Sequence, residues 1–179
     1  MAERLVGVKA PDFQMNTVLG DGENFGKASL NDYKGKWLVM FFYPLDFTFV
    51  CPTEITGFSK KYEEFKKLNA EVLAVSTDSI YSHKAWMDMP VDKGGIGKLN
   101  FPIASDITHQ VAKDYGIFIE EDGVALRGLF IIGPDGLMKY SVVHDLNVGR
   151  STDEVLRVLT ALQSGGLCPL GWEEGDELL

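Results

Sequence analysis

The sequence predicts an α/β domain organised around a parallel β-α-β unit, and three consecutive patterns indicate it. Residues 37–43 form a continuous apolar run rich in aromatic side chains, which is typical of a buried strand. From about residue 51 to residue 68, apolar side chains recur three and four positions apart, as on one face of a helix. A second apolar run follows at residues 71–77. Because a crossover helix between two strands favours a right-handed connection, we expect these strands to form a parallel pair.

Shorter elements are predicted on either side of this unit. Residues 9–24 contain Pro11 and Gly20 and are expected to form short strands joined by a turn. Beyond the unit, the sequence predicts a helix at 79–89, a loop at 91–98, a strand at 102–105 and a helix at 108–115. The loop is rich in glycine but lacks the Gly-x-Gly-x-x-Gly spacing and the Lys-Ser/Thr pair of phosphate-binding loops. We therefore expect no phosphate site there.

The last third of the chain predicts a hairpin and a closing helix. Apolar runs at 125–132 and 137–144 flank Gly133-Pro134-Asp135-Gly136, which favours a tight turn. Residues 151–154 read Ser-Thr-Asp-Glu, match a capping box and are expected to begin a helix that Gly165 ends. This order of elements is thioredoxin-like, with an N-terminal β extension. Residues 1–166 are therefore predicted to form one domain, and residues 167–179 a tail outside it.

Composition excludes several classes of function. The 17 basic and 26 acidic side chains leave a net charge of −9, which argues against a nucleic-acid partner. No segment approaches ~20 consecutive apolar residues, so we expect no membrane span. The first four residues lack the layout of a signal peptide, and two cysteines are too few for a secreted disulfide scaffold. We expect a cytoplasmic protein.

Neither a metal nor a cofactor is expected. The cysteines and histidines show none of the paired spacings of a structural zinc site; they are Cys51, Cys168, His83, His109 and His144. None of the three histidines lies in the unit around Cys51. The sequence therefore gives no reason to prefer a Cys–His nucleophile pair.

Cys51 lies where the central helix is predicted to begin, after a loop that follows Pro44. The first turn of a helix exposes unpaired N–H groups and the positive end of the helix dipole, both of which favour an anion. We therefore expect this thiol to ionise readily to the nucleophilic thiolate. Thr48 places a hydroxyl beside the sulfur that can donate or accept a hydrogen bond. Glu54 is positioned to order the first turn or an incoming arginine.

Other interpretations of these residues remain. A free cysteine is most often a small buried hydrophobic residue, although the surrounding pattern favours a reactive one here. A Cys-x-x-Cys dithiol is excluded because the fourth position is Glu54, so an oxidised Cys51 needs a distant partner. Arg127, at the start of an apolar run, either has a buried partner or faces water at a strand end. Trp86 either covers the Cys51 site or packs in the core.

The pattern Pro44-x-x-x-Thr48-x-x-Cys51 resembles the active-site motif of the peroxiredoxins. The longer match at residues 42–54 resembles the typical two-cysteine branch, which includes the alkyl hydroperoxide reductase C subunits and thioredoxin peroxidases. The resemblance extends from Ala10 to Pro169. It implies a thioredoxin-like fold and a peroxidase that reduces hydrogen peroxide and alkyl hydroperoxides.

The resemblance also implies roles for particular residues. Cys51 is the cysteine that attacks the peroxide, assisted by Pro44, Thr48 and Arg127, and becomes a sulfenic acid. Cys168, in the tail, is the resolving cysteine and forms a disulfide with Cys51 of the partner subunit. Arg150 resembles a second recurrent arginine of the family.

The implied partners are a hydroperoxide, a second copy of the chain and a reductant. The resemblance implies homodimers that assemble into decamers, and a role in antioxidant defence. The reductant is either thioredoxin-like, a flavoprotein disulfide reductase or a small dithiol protein, and the sequence does not distinguish them. A thiol–disulfide oxidoreductase is the alternative enzyme, and a holdase chaperone or a peroxide-sensing relay is the alternative that is not an enzyme.

Overall fold

The computed structural model describes residues 4–179, which form nine strands and five α-helices with two short 3₁₀ segments. The strands are β1 Gln14–Val18, β2 Phe25–Ser29, β3 Trp37–Phe42, β4 Ala70–Ser76, β5 Ile103–Ser105, β6 Phe118–Ile119, β7 Val124–Ala125, β8 Arg127–Ile132 and β9 Met138–His144. The helices are α1 Cys51–Lys60, α2 Tyr62–Lys67, α3 Ile80–Asp88, α4 Gln110–Asp114 and α5 Thr152–Ser164.

Seven of the strands form one mixed sheet in the order β2-β1-β5-β4-β3-β8-β9. β3 and β4 are parallel neighbours, with Met40 opposite Leu73, so the β-α-β unit predicted from the sequence is confirmed. β8 pairs antiparallel with β3 on its other side, with Leu129 opposite Phe41. The start of β8 therefore lies at the edge of the sheet where β3 ends and where α1 begins.

The sheet is covered on both faces, and the side chains of β3 alternate between two apolar cores. Val39 and Phe41 point into the core that contains α1 and α5, where Phe41 stacks on Phe58 with ring centroids 4.4 Å apart. Met40 and Phe42 point into the opposite core with α4. A central strand buried on both faces reads as a continuous apolar run, which is why β3 was predictable.

The single helix predicted at 51–68 is wrong in one respect, because it divides at Lys61 into α1 and α2. Lys61 has φ −92° and ψ 2°, outside helical geometry, and its amide closes the end of α1 by bonding to the Gly57 carbonyl. Gly57, four residues before the break, is a weak helix former, so an interruption of the helix in this region costs little free energy. The break allows Tyr62, at the start of α2, to donate a 2.8 Å hydrogen bond to Glu71 on β4.

Two predicted local features also differ from the structure. The strand predicted at 125–132 begins at Arg127, because Val124–Ala125 pairs with Phe118–Ile119 in a separate two-stranded sheet. Only half of the capping box forms at α5. The Ser151 hydroxyl accepts from the Glu154 amide at 3.2 Å, but the Glu154 carboxylate binds Arg157, one turn further on, at 2.7 and 2.8 Å. A charged, two-pronged partner outcompetes a backbone amide.

The tail after α5 folds back onto that helix. Trp172 is buried, and its carbonyl accepts a 2.8 Å hydrogen bond from Arg157. The Leu179 amide donates to the Leu167 carbonyl at 2.9 Å, while Leu170 between them is fully exposed. The division into a domain at 1–166 and a tail at 167–179 stays a prediction, and its first three residues lie outside the described part of the chain.

Across residues 4–179, none of the helices is both long enough and apolar enough to cross a lipid bilayer.

We predict that Ile131→Ala lowers the free energy of unfolding by about 2–5 kcal/mol, because Ile131 is fully buried on β8 and truncation leaves a cavity. Ile107→Ala is the matched control, since that side chain is 59% exposed. Urea titration followed by circular dichroism, at one fixed protein concentration, compares the two. Equal losses of unfolding free energy in the two variants would contradict the burial of Ile131 in the core.

Candidate active site

Cys51 is the first residue of α1 and its side chain is completely buried. The amides of Thr53 and Glu54 already donate to the Val50 carbonyl, at 3.1 and 3.3 Å, and Pro52 has no N–H. The helix start can therefore offer the sulfur chiefly the amide of Cys51 itself, which is less than the several free amides anticipated from the helix pattern. The remaining stabilisation of an anion must come from side chains.

Arg127 supplies that stabilisation. Its Nη1 donates to the Cys51 sulfur at 3.4 Å, and both side chains are buried. Its Nε donates to the Leu146 carbonyl at 2.7 Å, which fixes the plane of the guanidinium. Of the two interpretations of this arginine, the structure shows the buried one. The sheet topology explains it, because Arg127 begins β8 at the edge where β3 ends.

Glu54 joins Arg127 to a second arginine. Its carboxylate accepts from Arg127 Nη1 at 2.8 Å and from Arg150 Nε and Nη2 at 2.8 and 2.9 Å. The Arg150 amide also donates to it at 2.8 Å. Burial raises the pKa of Glu54, but the hydrogen bonds and charge of Arg150 and the charge of Arg127 outweigh burial, so the pKa lies below its usual value.

Arg150 makes more contacts than its supporting role in the sequence suggested. Its Nη1 donates to the Gly128 carbonyl at 2.7 Å, and its guanidinium lies 5.3 Å from the centre of the Phe41 ring. These contacts fix the segment before α5 against β8 and the core. Two buried guanidinium groups share one carboxylate, so this cluster has one uncompensated positive charge next to the Cys51 sulfur.

Thr48 and Pro44 lie in the loop between β3 and α1. Pro44 is buried, whereas Thr48 is half-buried. The Thr48 hydroxyl donates to the Leu45 carbonyl at 2.9 Å rather than to the sulfur. Because the Thr48 hydroxyl proton is used in this hydrogen bond, the oxygen can accept a hydrogen bond from an incoming hydroxyl group.

Cys168 lies beyond the C-terminal end of α5 and is partly exposed. Its thiol contacts the Ser164 hydroxyl at 3.3 Å and donates to the Ala161 carbonyl at 3.6 Å. The structure therefore does not bring Cys168 to Cys51 within one subunit. Glu54, on the helix that begins at Cys51, instead packs near the other end of α5, against Gly149 and Arg150.

Comparison with known proteins identifies the family. Residues 6–141 match the model of the family described as AhpC/TSA. The chain belongs to this family and is a peroxiredoxin. A putative peroxiredoxin encoded in the rubredoxin operon of Clostridium pasteurianum is 67% identical over 177 residues, which cover 99% of each chain. Peroxiredoxin prdx-2 of Caenorhabditis elegans is 50% identical, covering 100% of this chain and 90% of the relative.

Solved structures of peroxiredoxins have the same fold. The reduced 2-Cys peroxiredoxin of Plasmodium vivax superimposes with a TM-score of 0.95 at 40% identity, covering 98% of this chain and 93% of that one. AhpC of Enterococcus faecalis superimposes with a TM-score of 0.85 at 38% identity, covering 93% and 100%. The predicted thioredoxin-like fold is confirmed. This peroxiredoxin is an enzyme, a thiol-dependent peroxidase with an antioxidant function.

The sequence analysis missed the interactions of the loop that leads to Cys51 in this peroxiredoxin. Asp46, within that loop, binds the fully buried His83 of α3 at 2.8 Å and the Tyr43 hydroxyl at 2.7 Å. Trp86 is completely buried, with its ring 5.8 Å from that of Phe47, so it packs in the core and also beneath the loop. No local pattern indicates the pairing of Asp46 with a helix 37 residues away.

We predict that Glu54→Gln destabilises the peroxiredoxin at neutral pH by about 3 kcal/mol, because two buried guanidinium groups lose their counter-ion. The variant should also respond less to acid. Since the pKa of Glu54 is lower in the folded state than its usual 4.5, its stabilisation is present above that value and is lost as the pH falls below it. Thermal unfolding between neutral and acid pH measures both effects.

Glu154→Gln is the matched control for this prediction. Glu154 pairs with Arg157 on the surface and is about half exposed, so its loss should cost less than about 1 kcal/mol. Equal destabilisation by the two variants, or a wild-type acid response retained in Glu54→Gln, would contradict the buried network.

Proposed function

We propose that Cys51 is the residue that reduces the peroxide. The Cys51 thiolate attacks the terminal oxygen of a hydroperoxide, an S–O bond forms, and the O–O bond breaks. The peroxide is reduced to an alcohol or water, and Cys51 is oxidised to a sulfenic acid. The leaving oxygen takes up a proton. The observation that supports this role most directly is the buried 3.4 Å contact between Arg127 Nη1 and the Cys51 sulfur.

Arg127 is proposed to act on both reactants. In the resting enzyme its guanidinium donates a hydrogen bond to the Cys51 sulfur. As the O–O bond lengthens, negative charge moves onto the leaving oxygen, and a fixed donor next to the reacting centre stabilises that charge. Glu54 and the Leu146 carbonyl hold the guanidinium in place, so little reorganisation is needed during the reaction.

Thr48 and Pro44 are proposed to position the peroxide and exclude water. With its own proton donated to the Leu45 carbonyl, the Thr48 oxygen can accept from the peroxide hydroxyl and hold that terminal oxygen towards the sulfur. Buried Pro44 supplies an apolar wall to the site. Orientation matters because reacting atoms held in line gain several orders of magnitude in rate over freely diffusing ones.

Cys168 is proposed to resolve the sulfenic acid in the partner subunit. Helix α5 has 13 residues and is therefore about 20 Å long, with Cys51 near its start and Cys168 past its end. A disulfide needs Cα atoms within roughly 7 Å, so the two cysteines of one subunit are too far apart. Condensation of the sulfenic acid with the partner's thiol forms the S–S bond and releases water.

Resolution requires two local rearrangements. Cys51 is buried, so the first turn of α1 must unwind to expose the sulfenic acid. The residues around Cys168 must also leave α5, which breaks the contacts of its thiol with Ser164 and Ala161. These are weak hydrogen bonds of a thiol at the end of a helix, so breaking them costs little free energy.

An apolar surface supports the proposal that homodimers assemble into a decamer. Phe25 and Tyr81 form an exposed aromatic pair with ring centroids 5.9 Å apart, and Tyr81 is 72% exposed. Leu45 and Phe47 of the loop before α1 are also exposed. Exposed aromatic side chains are enriched at protein interfaces.

The Cys51–Cys168 disulfide must be reduced before another cycle, which takes two electrons and two protons. We propose a thioredoxin-like or flavoprotein disulfide reductant acting in the cytoplasm. The low cysteine content, two in 179 residues, supports a compartment that keeps thiols reduced.

We predict that Cys51→Ser abolishes the consumption of hydrogen peroxide, because a serine hydroxyl is not ionised near neutral pH. Cys168→Ser should consume one equivalent of peroxide per subunit and then stop, since the sulfenic acid has no partner. Peroxide loss and non-reducing gels measure both effects. A disulfide-linked dimer in the Cys168→Ser protein, or turnover by Cys51→Ser, would contradict these assignments.

We predict that Tyr81→Glu reduces the size of the assembly in solution, because a charge within an apolar interface is costly to bury. Light scattering after size-exclusion chromatography measures the mass. Val91→Glu is the control, since Val91 is comparably exposed but lies on the loop after α3. An unchanged mass in Tyr81→Glu would show that the Phe25–Tyr81 surface is not an interface.

A further inference from the structure

The loop that leads to Cys51 is anchored from behind by a buried polar network that the proposed reaction does not use. Asp46, in the middle of the loop, accepts a hydrogen bond from the Tyr43 hydroxyl at 2.7 Å and contacts His83 Nδ1 at 2.8 Å. His83 is completely buried on α3, and its Nε2 lies 3.1 Å from the Ala104 carbonyl of β5. The network therefore connects the loop to a helix and a central strand.

The hydrogen-bond partners determine how many protons the network holds. A backbone carbonyl only accepts, so Nε2 of His83 must carry a proton. An ionised carboxylate also only accepts, so with Asp46 ionised the Nδ1 that faces it carries a proton as well. Burial and the nearby charge of Asp46 raise the pKa of Tyr43, which keeps its hydroxyl protonated as a donor to Asp46. A doubly protonated ring facing the ionised Asp46 satisfies every partner.

A second carboxylate faces the same network. The Asp46 amide donates to Asp78 at 2.9 Å, and the Ser76 hydroxyl donates to Asp78 at 2.7 Å. Burial and the charge of Asp46 raise the pKa of Asp78, whereas the charge of His83 lowers it. A positively charged His83 therefore acts on two acidic side chains, and a neutral ring would leave their repulsion uncompensated.

The loop itself needs such an anchor. Phe47, the residue after Asp46, has φ +58°, in the left-handed region that costs a non-glycine residue about 1 kcal/mol or more. Leu45, Phe47 and Phe49 are exposed, so apart from the contact of Phe47 with Trp86 the apolar core does little to hold this loop. Strain of this kind persists only where surrounding contacts fix the backbone. Asp46 provides fixed contacts through both its side chain and its amide.

We infer that His83 and Asp46 are positioning residues for Cys51. Held between Asp46 and the Ala104 carbonyl, doubly protonated His83 keeps the loop at residues 44–50 in the conformation in which the first turn of α1 is wound and Cys51 faces Arg127. This inference rests on the proposed role of Cys51 as the attacking cysteine. Weakening the contact between Asp46 and His83 favours the conformation in which the first turn of α1 is unwound. This slows the peroxide step without slowing disulfide formation.

The protonation state is testable in the wild-type enzyme without any substitution. Nitrogen NMR of the reduced protein labelled with ¹⁵N-histidine should show both ring nitrogens of His83 protonated near neutral pH. In Asp46→Asn, the amide can donate to a bare Nδ1 and still accept from Tyr43, so one ring nitrogen should lose its proton. One bare nitrogen in the wild type, or an unchanged spectrum in Asp46→Asn, would overturn the inference.

The positioning role is tested by separating the two chemical steps. Rapid-quench mass spectrometry with hydrogen peroxide measures the formation of the sulfenic acid and then of the disulfide. In His83→Gln the first step should slow by roughly 10- to 100-fold, the range expected for a misplaced reacting group, while the second is as fast or faster. Tyr43→Phe, which removes a single donor to Asp46, should give the same split at about tenfold or less.

His109→Gln is the matched control, since His109 stacks on Phe118 rather than binding the loop, and should change neither step. If His83→Gln does not fold, Tyr43→Phe and the wild-type spectrum decide the question. Equal slowing of both steps, or no slowing in a folded variant, would overturn the inference. The Cys51→Ser variant distinguishes a failure of this inference from a failure of the proposed function. Turnover by that variant would show that Cys51 is not the attacking cysteine, whatever the role of His83.

Discussion

The arrangement of this site depends on the carboxylate of Glu54. It is buried on the first turns of α1, and it binds Arg127 from β8 and Arg150 from the segment before α5. Two guanidinium groups and one carboxylate leave a net positive charge where water is excluded. A buried charge of this kind is stable only with a compensating anion nearby. The Cys51 sulfur, 3.4 Å from Arg127, is in the position to be that anion.

The same carboxylate occupies the position that a local dithiol would need at the start of α1. In a Cys-x-x-Cys motif, the residue three positions after the first cysteine is the second thiol. Here that position is Glu54, which holds both arginines in place. A carboxylate in place of a local thiol builds an electrostatic site and rules out a disulfide within the motif. Under the proposed mechanism, resolution then depends on a distant cysteine.

The loop before Cys51 and the start of α1 have the properties of a segment that changes conformation. A sulfur that reacts while buried and is resolved elsewhere must alternate between two conformations. The strained Phe47, the exposed apolar side chains around it and the Asp46–His83 contact lie within the six residues before Cys51 or directly behind them. Elements that must move are generally those with little apolar burial of their own.

The sequence by itself determined the β-α-β unit, the position of Cys51 at a helix start and the family. These are local properties, since periodicity and a short motif are read from neighbouring residues. Local patterns also predicted the hairpin and the closing helix, but not the break at Lys61 or the loss of half a capping box to Arg157. Only the tertiary structure decided which charges meet, because Glu54, Arg127 and Arg150 are as many as 96 residues apart. It also placed His83 against Asp46, since the sheet order, and not the chain order, brings α3 and β5 behind the loop.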